Sequence, residues 1–190
     1  MKVGVLALQG DVREHVRALD QAGATPVPVK TPADLASVDA LVIPGGESTT
    51  IGKLLERFGL RQPVIERAHS GMPLFGTCGG LILMAKEIVG SELAPHRLDL
   101  MDIAVRRNAY GRQVDSFEAD LDVEGLDAPL RAAFIRAPVV EGVGDGVEVL
   151  ARWEGQPVLV RQDGLLAASF HPEITGDPRL HELFVARVGG

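Results

Sequence analysis

Residues 73–87 read PLFGTCGGLILMAKE, and they carry the chain's one cysteine, Cys78, between glycines. The apolar run up to Thr77 fits a buried strand and Leu81 to Glu87 fits a helix, so Cys78 falls on the turn between them. A turn that follows a parallel strand lies at the carboxyl edge of the sheet, where open α/β folds hold their ligands. The spacing Gly76-x-Cys78-x-Gly80 has the form of a nucleophile elbow. Glycine on either side permits a tight turn that a side chain would block. A helix start favours a thiolate, and the amide after the nucleophile can face a developing oxyanion. The competing reading is a small buried residue that fills space, as free cysteines commonly do. The elbow alone leaves the two level.

Outward from this turn, the first half of the chain alternates strand and helix. Lys2–Leu8 is a β-branched and aliphatic run that stops at Gln9-Gly10. Asp11 is placed to cap a helix in which Val12, Val16 and Leu19 recur at helical spacing. TPVPV is extended by its prolines, TPADL starts a short helix, and DALVIPGG is a second buried strand stopped by glycines. Ser48 is placed to cap a helix with Ile51, Leu54, Leu55 and Phe58 on one face, and a further helix over about 62–70 leads into MPLFGT. Continuous apolar strands separated by helices are the mark of a parallel sheet covered on both faces. From about residue 98 charges, aromatics and turns mix, which predicts a small antiparallel excursion. RAAFIRAPVVEGV, VEVLARWEG, QPVLVRQDG and LLAASFHPE read as short strands, ARWEGQPVLVRQ as a hairpin, and 178–188 as a closing helix.

The whole chain sets the bounds. Its 190 residues suit one domain, with no repeat or linker to divide it. A net charge of −7 opposes non-specific binding to nucleic acid or an anionic membrane. One cysteine cannot form an internal disulfide, and the N-terminal apolar run is too short to span a bilayer, so the expectation is a cytoplasmic protein. No metal-ligand cluster or phosphate-cradling loop is visible.

A thiolate that attacks an amide needs a proton donor for the leaving amine. Of five histidines, His15, His69 and His181 fall in amphipathic helices among charged neighbours and read as solvated. His96 sits in a loop after Pro95. His171 differs, because it ends the apolar strand LLAASF and precedes Pro-Glu. The residue before proline is biased to extended geometry, and residues two apart on extended chain project from one face about 7 Å apart. His171 and Glu173 can therefore point the same way, the carboxylate on one ring nitrogen and the thiol on the other, as base and orienter.

GTCGG together with SFHPE resembles the class I, triad-type glutamine amidotransferases. VGVLALQGDVREH, LVIPGGESTTIGKLL, GTCGGLILMAKEI, MDIAVRRNAYGRQVDSFE and FIRAPVVE extend the likeness, in order and over nearly the whole chain, to the glutaminase subunits of pyridoxal 5'-phosphate synthase. That resemblance implies one three-layer, flavodoxin-like α/β domain over 1–190. It implies that L-glutamine is hydrolysed to glutamate and ammonia for vitamin B6 biosynthesis, by Cys78 as nucleophile, His171 as proton donor and Glu173 as orienter. It further implies Gly46, Glu47, Ser48, Arg107, Ile135 and Arg136 as glutamine contacts, and Gly79, Gly46, Gln9 and Gly10 around the oxyanion. An arginine near the site suits a substrate that brings an α-carboxylate; Arg106 reads as a surface charge. The family often has alanine after the nucleophile, where this chain has Gly79; only the amide is needed there, and glycine is expected to loosen the turn. No cofactor is implied for this chain, and the implied partner is the barrel-fold synthase subunit that consumes the ammonia. A cysteine hydrolase or peptidase of similar build, or a non-catalytic regulatory subunit, are the alternatives; PGGES and RNAYGRQ speak against the first and the intact Cys-His-Glu set against the second.

Overall fold

The computed structural model describes residues 1–90, 96–107 and 116–188. Five parallel strands form the centre: β1 (Lys2–Leu6), β2 (Thr25–Val29), β3 (Ala40–Ile43), β4 (Leu74–Thr77) and the late β12 (Leu165–Ala168). The hairpin β10 (Glu148–Trp153) and β11 (Gln156–Gln162) adds antiparallel to β12, giving the order β10-β11-β12-β4-β3-β1-β2. The parallel part follows the flavodoxin-like order.

Strand alternation divides the core. Leu41, Ile43 and Leu74 point to one face, where they meet Ile51 and Leu55 of α3 (Ser48–Arg57), Val64 of α4 (Arg61–His69) and Leu81 of α5 (Gly79–Met84). Leu35 of the short α2 (Pro32–Ala36) joins that side. Val3, Val5, Val42 and Phe75 point to the other face, against Leu19 of α1 (Val12–Gln21) and Leu180 and Phe184 of α6 (Arg179–Val188). Burial on both faces is what makes these strands continuously apolar. The excursion forms two small sheets. In one, β5 (Ala85–Ile88) runs parallel to β6 (Met101–Arg106), which pairs antiparallel with β9 (Val139–Val143). The other is the antiparallel pair β7 (Ser116–Leu121) and β8 (Leu130–Ile135). No helix among the described residues is long and apolar enough to cross a membrane.

Four local expectations change. The helix after Cys78 spans six residues and gives way to β5 at Ala85, whose ψ of 140 is extended; Ala85, Glu87 and Ile88 pair with β6, with an irregularity in register between Ala85 and Glu87. RAAFIRAPVVEGV breaks into β8 and β9 at Arg136, which holds a positive φ of 45. The cap of α3 is Glu47, not Ser48: its carboxylate accepts from the amides of Thr49 and Thr50, a reach that suits the longer acid. Asp11 makes no capping bond to α1; its carboxylate is turned towards His171 instead.

Candidate active site

The carboxyl ends of β1, β3, β4 and β12 bring four loops together. Cys78 follows β4 with φ 47 and ψ −101, a conformation that costs an L-residue about 1–3 kcal/mol and persists only where its surroundings enforce it. The surroundings are backbone and one buried side chain. A Cβ on Gly80 would lie 2.2 Å from the Ile43 carbonyl oxygen, and one on Gly76 would lie 2.6 Å from the Met84 sulfur. The glycines of the elbow thus let α5 press against β3 and β4, and the Cys78 amide is tied to Ala168 O of β12. With only six residues, α5 adds little dipole.

His171 follows β12. The strand ends at Ala168, and the chain turns at Pro172 rather than continuing extended. The His171 amide is bonded to Ala133 O of β8 at 2.8 Å, which fixes the residue against that strand. Its Nδ1 lies 2.7 Å from Glu173 Oε1 and 3.4 Å from Asp11 Oδ2. That leaves the other ring nitrogen for the Cys78 thiol, with which His171 is also hydrogen-bonded. The thiol has a second partner, donating to Ile135 O at 3.8 Å. Burial disfavours charge on His171, but the bonds to Asp11, Cys78 and Glu173 outweigh it and raise its pKa well above the ordinary histidine value. Burial pushes the Glu173 carboxyl upwards, and the bond to His171 works against that push. Asp11, His171 and Glu173 have donor atoms within 4.8 Å of one another, as a metal set would, yet these atoms are already engaged in the contacts just described.

The β3–α3 loop closes the site from above. A Cβ on Gly45 would meet His171 Cε1 at 2.4 Å, and one on Gly10 would meet the Gly45 oxygen at 1.8 Å. The Gln9-Gly10 and Gly45-Gly46 loops therefore lie backbone on backbone beside the imidazole. Gln9 Oε1 accepts from the Glu47 amide at 3.1 Å, and the carbonyl oxygen of Gly46 is the atom nearest to where a Gly79 side chain would begin. Gly79 is a seat for the Gly46 peptide, not a loosened turn.

A cavity of about 420 Å³ opens in front of Cys78 and His171, and Gly46, Glu47, Ser48, Arg107, Ile135 and Arg136 all line it. Arg107 pairs with Glu47 at 3.0 Å and donates to Thr49 Oγ1 at 3.2 Å. Partial burial works against ionised Glu47, but the Thr50 hydroxyl and the Thr49 and Thr50 amides hold its carboxyl down at about 2. The cavity therefore offers a fixed anion next to a guanidinium, a complement for a zwitterionic amino acid. Of the RNAYGRQ segment only Arg107 falls among the described residues. Arg106 lies outside the site, paired with Glu141.

The sequence reading missed four side chains here. Asp11, Ile82 and Ile174 also line the cavity, and His15 stands behind Glu173 with its Nε2 3.5 Å from Oε2. His15 and His181 are both fully buried, against the expectation of solvated positions. A signal existed: His15 falls three residues after Val12 and four before Leu19, and His181 three before Phe184, so each shares the apolar face of its helix.

The family model described as the SNO glutamine amidotransferase family matches residues 5–189. The pyridoxal 5'-phosphate synthase subunit PdxT of Mycobacteroides abscessus is 58% identical over 186 residues, 98% of this chain and 96% of that protein. The subunit of the same name from Pelotomaculum thermopropionicum is 57% identical over 188 residues, 98% of this chain and 95% of its own. A solved glutamine amidotransferase matches with a TM-score of 0.94 at 53% identity over 99% of each chain. The solved PurLQS of Thermotoga maritima shares the fold, with a TM-score of 0.67 at 17% identity over 99% of this chain and 94% of the matched one.

Proposed function

The chain belongs to the SNO glutamine amidotransferase family, and on that footing we propose that it is the glutaminase subunit of a pyridoxal 5'-phosphate synthase, with one amidotransferase domain and a cytoplasmic location. It hydrolyses L-glutamine and passes the ammonia to a synthase subunit. The observation that supports this most is the floor of the cavity. Cys78 sits there on a strained elbow with His171 beside it and Glu173 Oε1 2.7 Å behind the imidazole.

Glutamine enters with its α-ammonium near Glu47 and its α-carboxylate near Arg107 or Arg136, which directs the side-chain amide to Cys78. The thiolate adds to the amide carbon, and the oxygen gains the negative charge. The Gly79 amide meets that charge. His171, as imidazolium, protonates the nitrogen; the C–N bond breaks, ammonia leaves, and a glutamyl thioester remains. His171, now neutral, takes a proton from water as the water attacks the thioester, and glutamate departs with the thiolate restored. Glu173 keeps the imidazole in the Nδ1–H tautomer throughout.

A second oxyanion donor would be the Gly46 amide, once its peptide turns. That amide belongs to the Gly45–Gly46 peptide, whose own carbonyl oxygen packs against Gly10; the Gly46 oxygen beside Gly79 belongs to the next peptide, which is held through the Glu47 N–H to Gln9. Docking of the synthase on the exposed Ile135 and Ile174 beside the cavity would select the turned peptide, at about 10²–10³ in rate for one donor. The test is ammonia release from glutamine by the purified chain, alone and with a synthase subunit. Weak activity alone and a large rise in kcat with the partner, KM moving less, is the expected result. Equal kcat in both states would refute the regulated reading. Turnover of peptides but not of glutamine would make the chain a peptidase instead.

A further inference from the structure

Behind the triad runs a buried polar chain that the proposed chemistry does not use. His181 of α6, His15 of α1 and Thr77 at the end of β4 are all 0% exposed. His15 Nδ1 lies 2.9 Å from His181 Nε2, and His15 Nε2 lies 3.1 Å from Thr77 Oγ1 and 3.5 Å from Glu173 Oε2. At the two ends are two buried atoms without a hydrogen-bond partner among the described residues, Glu173 Oε2 and His181 Nδ1.

These ends assign the protons. In one direction His15 would donate from Nδ1 to His181, and His181 would then carry an N–H on Nδ1 with nothing to receive it. His15 would also turn a bare nitrogen lone pair towards the carboxylate. A buried N–H without an acceptor costs more than a bare acceptor, and lone pair against carboxylate is repulsive. In the other direction His181 donates from Nε2 to His15 Nδ1, and His15 presents Nε2–H to Thr77 and Glu173 Oε2. The unpartnered His181 atom is then only a lone pair. Burial holds both rings neutral, which each of these tautomers requires; His181 is lowered to about 4 and His15 well below the ordinary value.

We propose that His15 is a positioning residue for the glutaminase reaction: its Nε2–H, set by His181, faces the second oxygen of Glu173 and holds the carboxylate in the orientation that keeps Oε1 on His171. The proposal rests on the glutaminase reading of the site. The titratable groups that face the chain are Glu173 in front of His15, His181 behind it, and Asp11, Cys78 and His171 beyond the carboxylate; Phe75 packs edge-on to both histidine rings.

Cys78 is the only cysteine, so the pH dependence of alkylation by iodoacetamide reports its thiolate without turnover. In His15→Leu the carboxylate loses its second contact, His171 is held less firmly beside Cys78, and the alkylation midpoint should move up by about one pH unit. With the synthase subunit present, kcat for glutamine should fall about tenfold with KM within twofold. His15→Gln restores an N–H at the position of Nε2 and should bring the midpoint most of the way back. A wild-type midpoint in folded His15→Leu, or an equal shift in both variants, overturns the proposal. If His15→Leu does not fold, His181→Phe takes its place: removal of the tautomer-setting donor should shift the midpoint upwards, and an unchanged midpoint overturns the assignment. Failure of the glutaminase reading would look different, as no ammonia from the unaltered chain with its partner while the alkylation shift persists.

Discussion

A methyl group at position 79 would lie 2.4 Å from the carbonyl oxygen of Gly46. That oxygen belongs to backbone, held between the Gln9 side chain and the start of α3, so it cannot swing aside as a flexible side chain would. The residue after Cys78 therefore has a second part beside the oxyanion contact proposed for its amide: its missing Cβ seats the neighbouring loop. Gly79→Ala should keep the amide and lose the seat. The expected cost is about 1–3 kcal/mol in urea unfolding, with glutamine turnover by the complex reduced less than tenfold. Unchanged stability would mean that the Gly46 peptide rests elsewhere in solution.

Cys78 stores backbone strain at φ 47. Cys78→Ala should abolish ammonia release and melt within a few degrees of the unaltered chain. Cys78→Gly should be equally inactive yet more stable by about 1 kcal/mol or more, because glycine relieves the positive φ. Thermal melting of the two variants side by side checks this. Ammonia release by either would end the nucleophile assignment.

The bond between His171 Nδ1 and Glu173 Oε1 separates orientation from proton transfer. His171→Asn should lower kcat almost as far as Cys78→Ala does. Glu173→Gln can still pair with the ring but favours the wrong tautomer, and a loss of about 10²–10⁴ in kcat is expected. Steady-state kinetics of the complex decide the order; a larger loss for Glu173→Gln than for His171→Asn would contradict it.

Arg107 and Glu47 lie 3.0 Å apart across the mouth of the cavity. If they hold the charged end of glutamine, Arg107→Ala or Arg136→Ala should cost about 2–4 kcal/mol in kcat/KM, or roughly 30- to 1,000-fold. Less than a twofold change in both variants would remove the arginines from substrate binding. Since Glu47 is held near 2, substrate affinity should not weaken between pH 8 and pH 5 through its titration.

The two buried histidines predict an acid limit to stability. An unfolded histidine titrates near 6.5, and His181 in the fold near 4. Between those values the unfolded chain binds a proton that the folded chain refuses, so stability is fully present above about 6.5 and falls as pH drops towards 4. His181 alone accounts for about 3 kcal/mol over that window. His15, whose pKa burial also holds well below the ordinary histidine value, adds to the loss in the same direction. Denaturant unfolding from pH 7 to pH 4 measures the slope, and His181→Phe should flatten it; an unaltered slope in that variant would place the acid sensitivity elsewhere.

From sequence alone the architecture and the grouping of the candidate side chains Cys78, His171 and Glu173 were legible, because both rest on local chemistry. Apolar strands that end in glycine turns specify a parallel sheet and its carboxyl edge, and Gly76-x-Cys78-x-Gly80 specifies an elbow whatever surrounds it. His171 and Glu173 are two residues apart, so their pairing needed no long-range information. Contacts between distant segments were not legible in this way. Whether Asp11 caps a helix or turns to His171 depends on where β12 places the imidazole, 160 residues later in the chain. His15 and His181 are separated by 166 positions, and each lies among charged neighbours in sequence; only the packing of α1 and α6 on the same face of the sheet removes both from water and aims one at Glu173. Gly79 meets Gly46 for the same reason. Hydrophobic pattern and turn chemistry act between near neighbours, whereas the arrangement of buried polar atoms follows from which elements the folded sheet brings side by side.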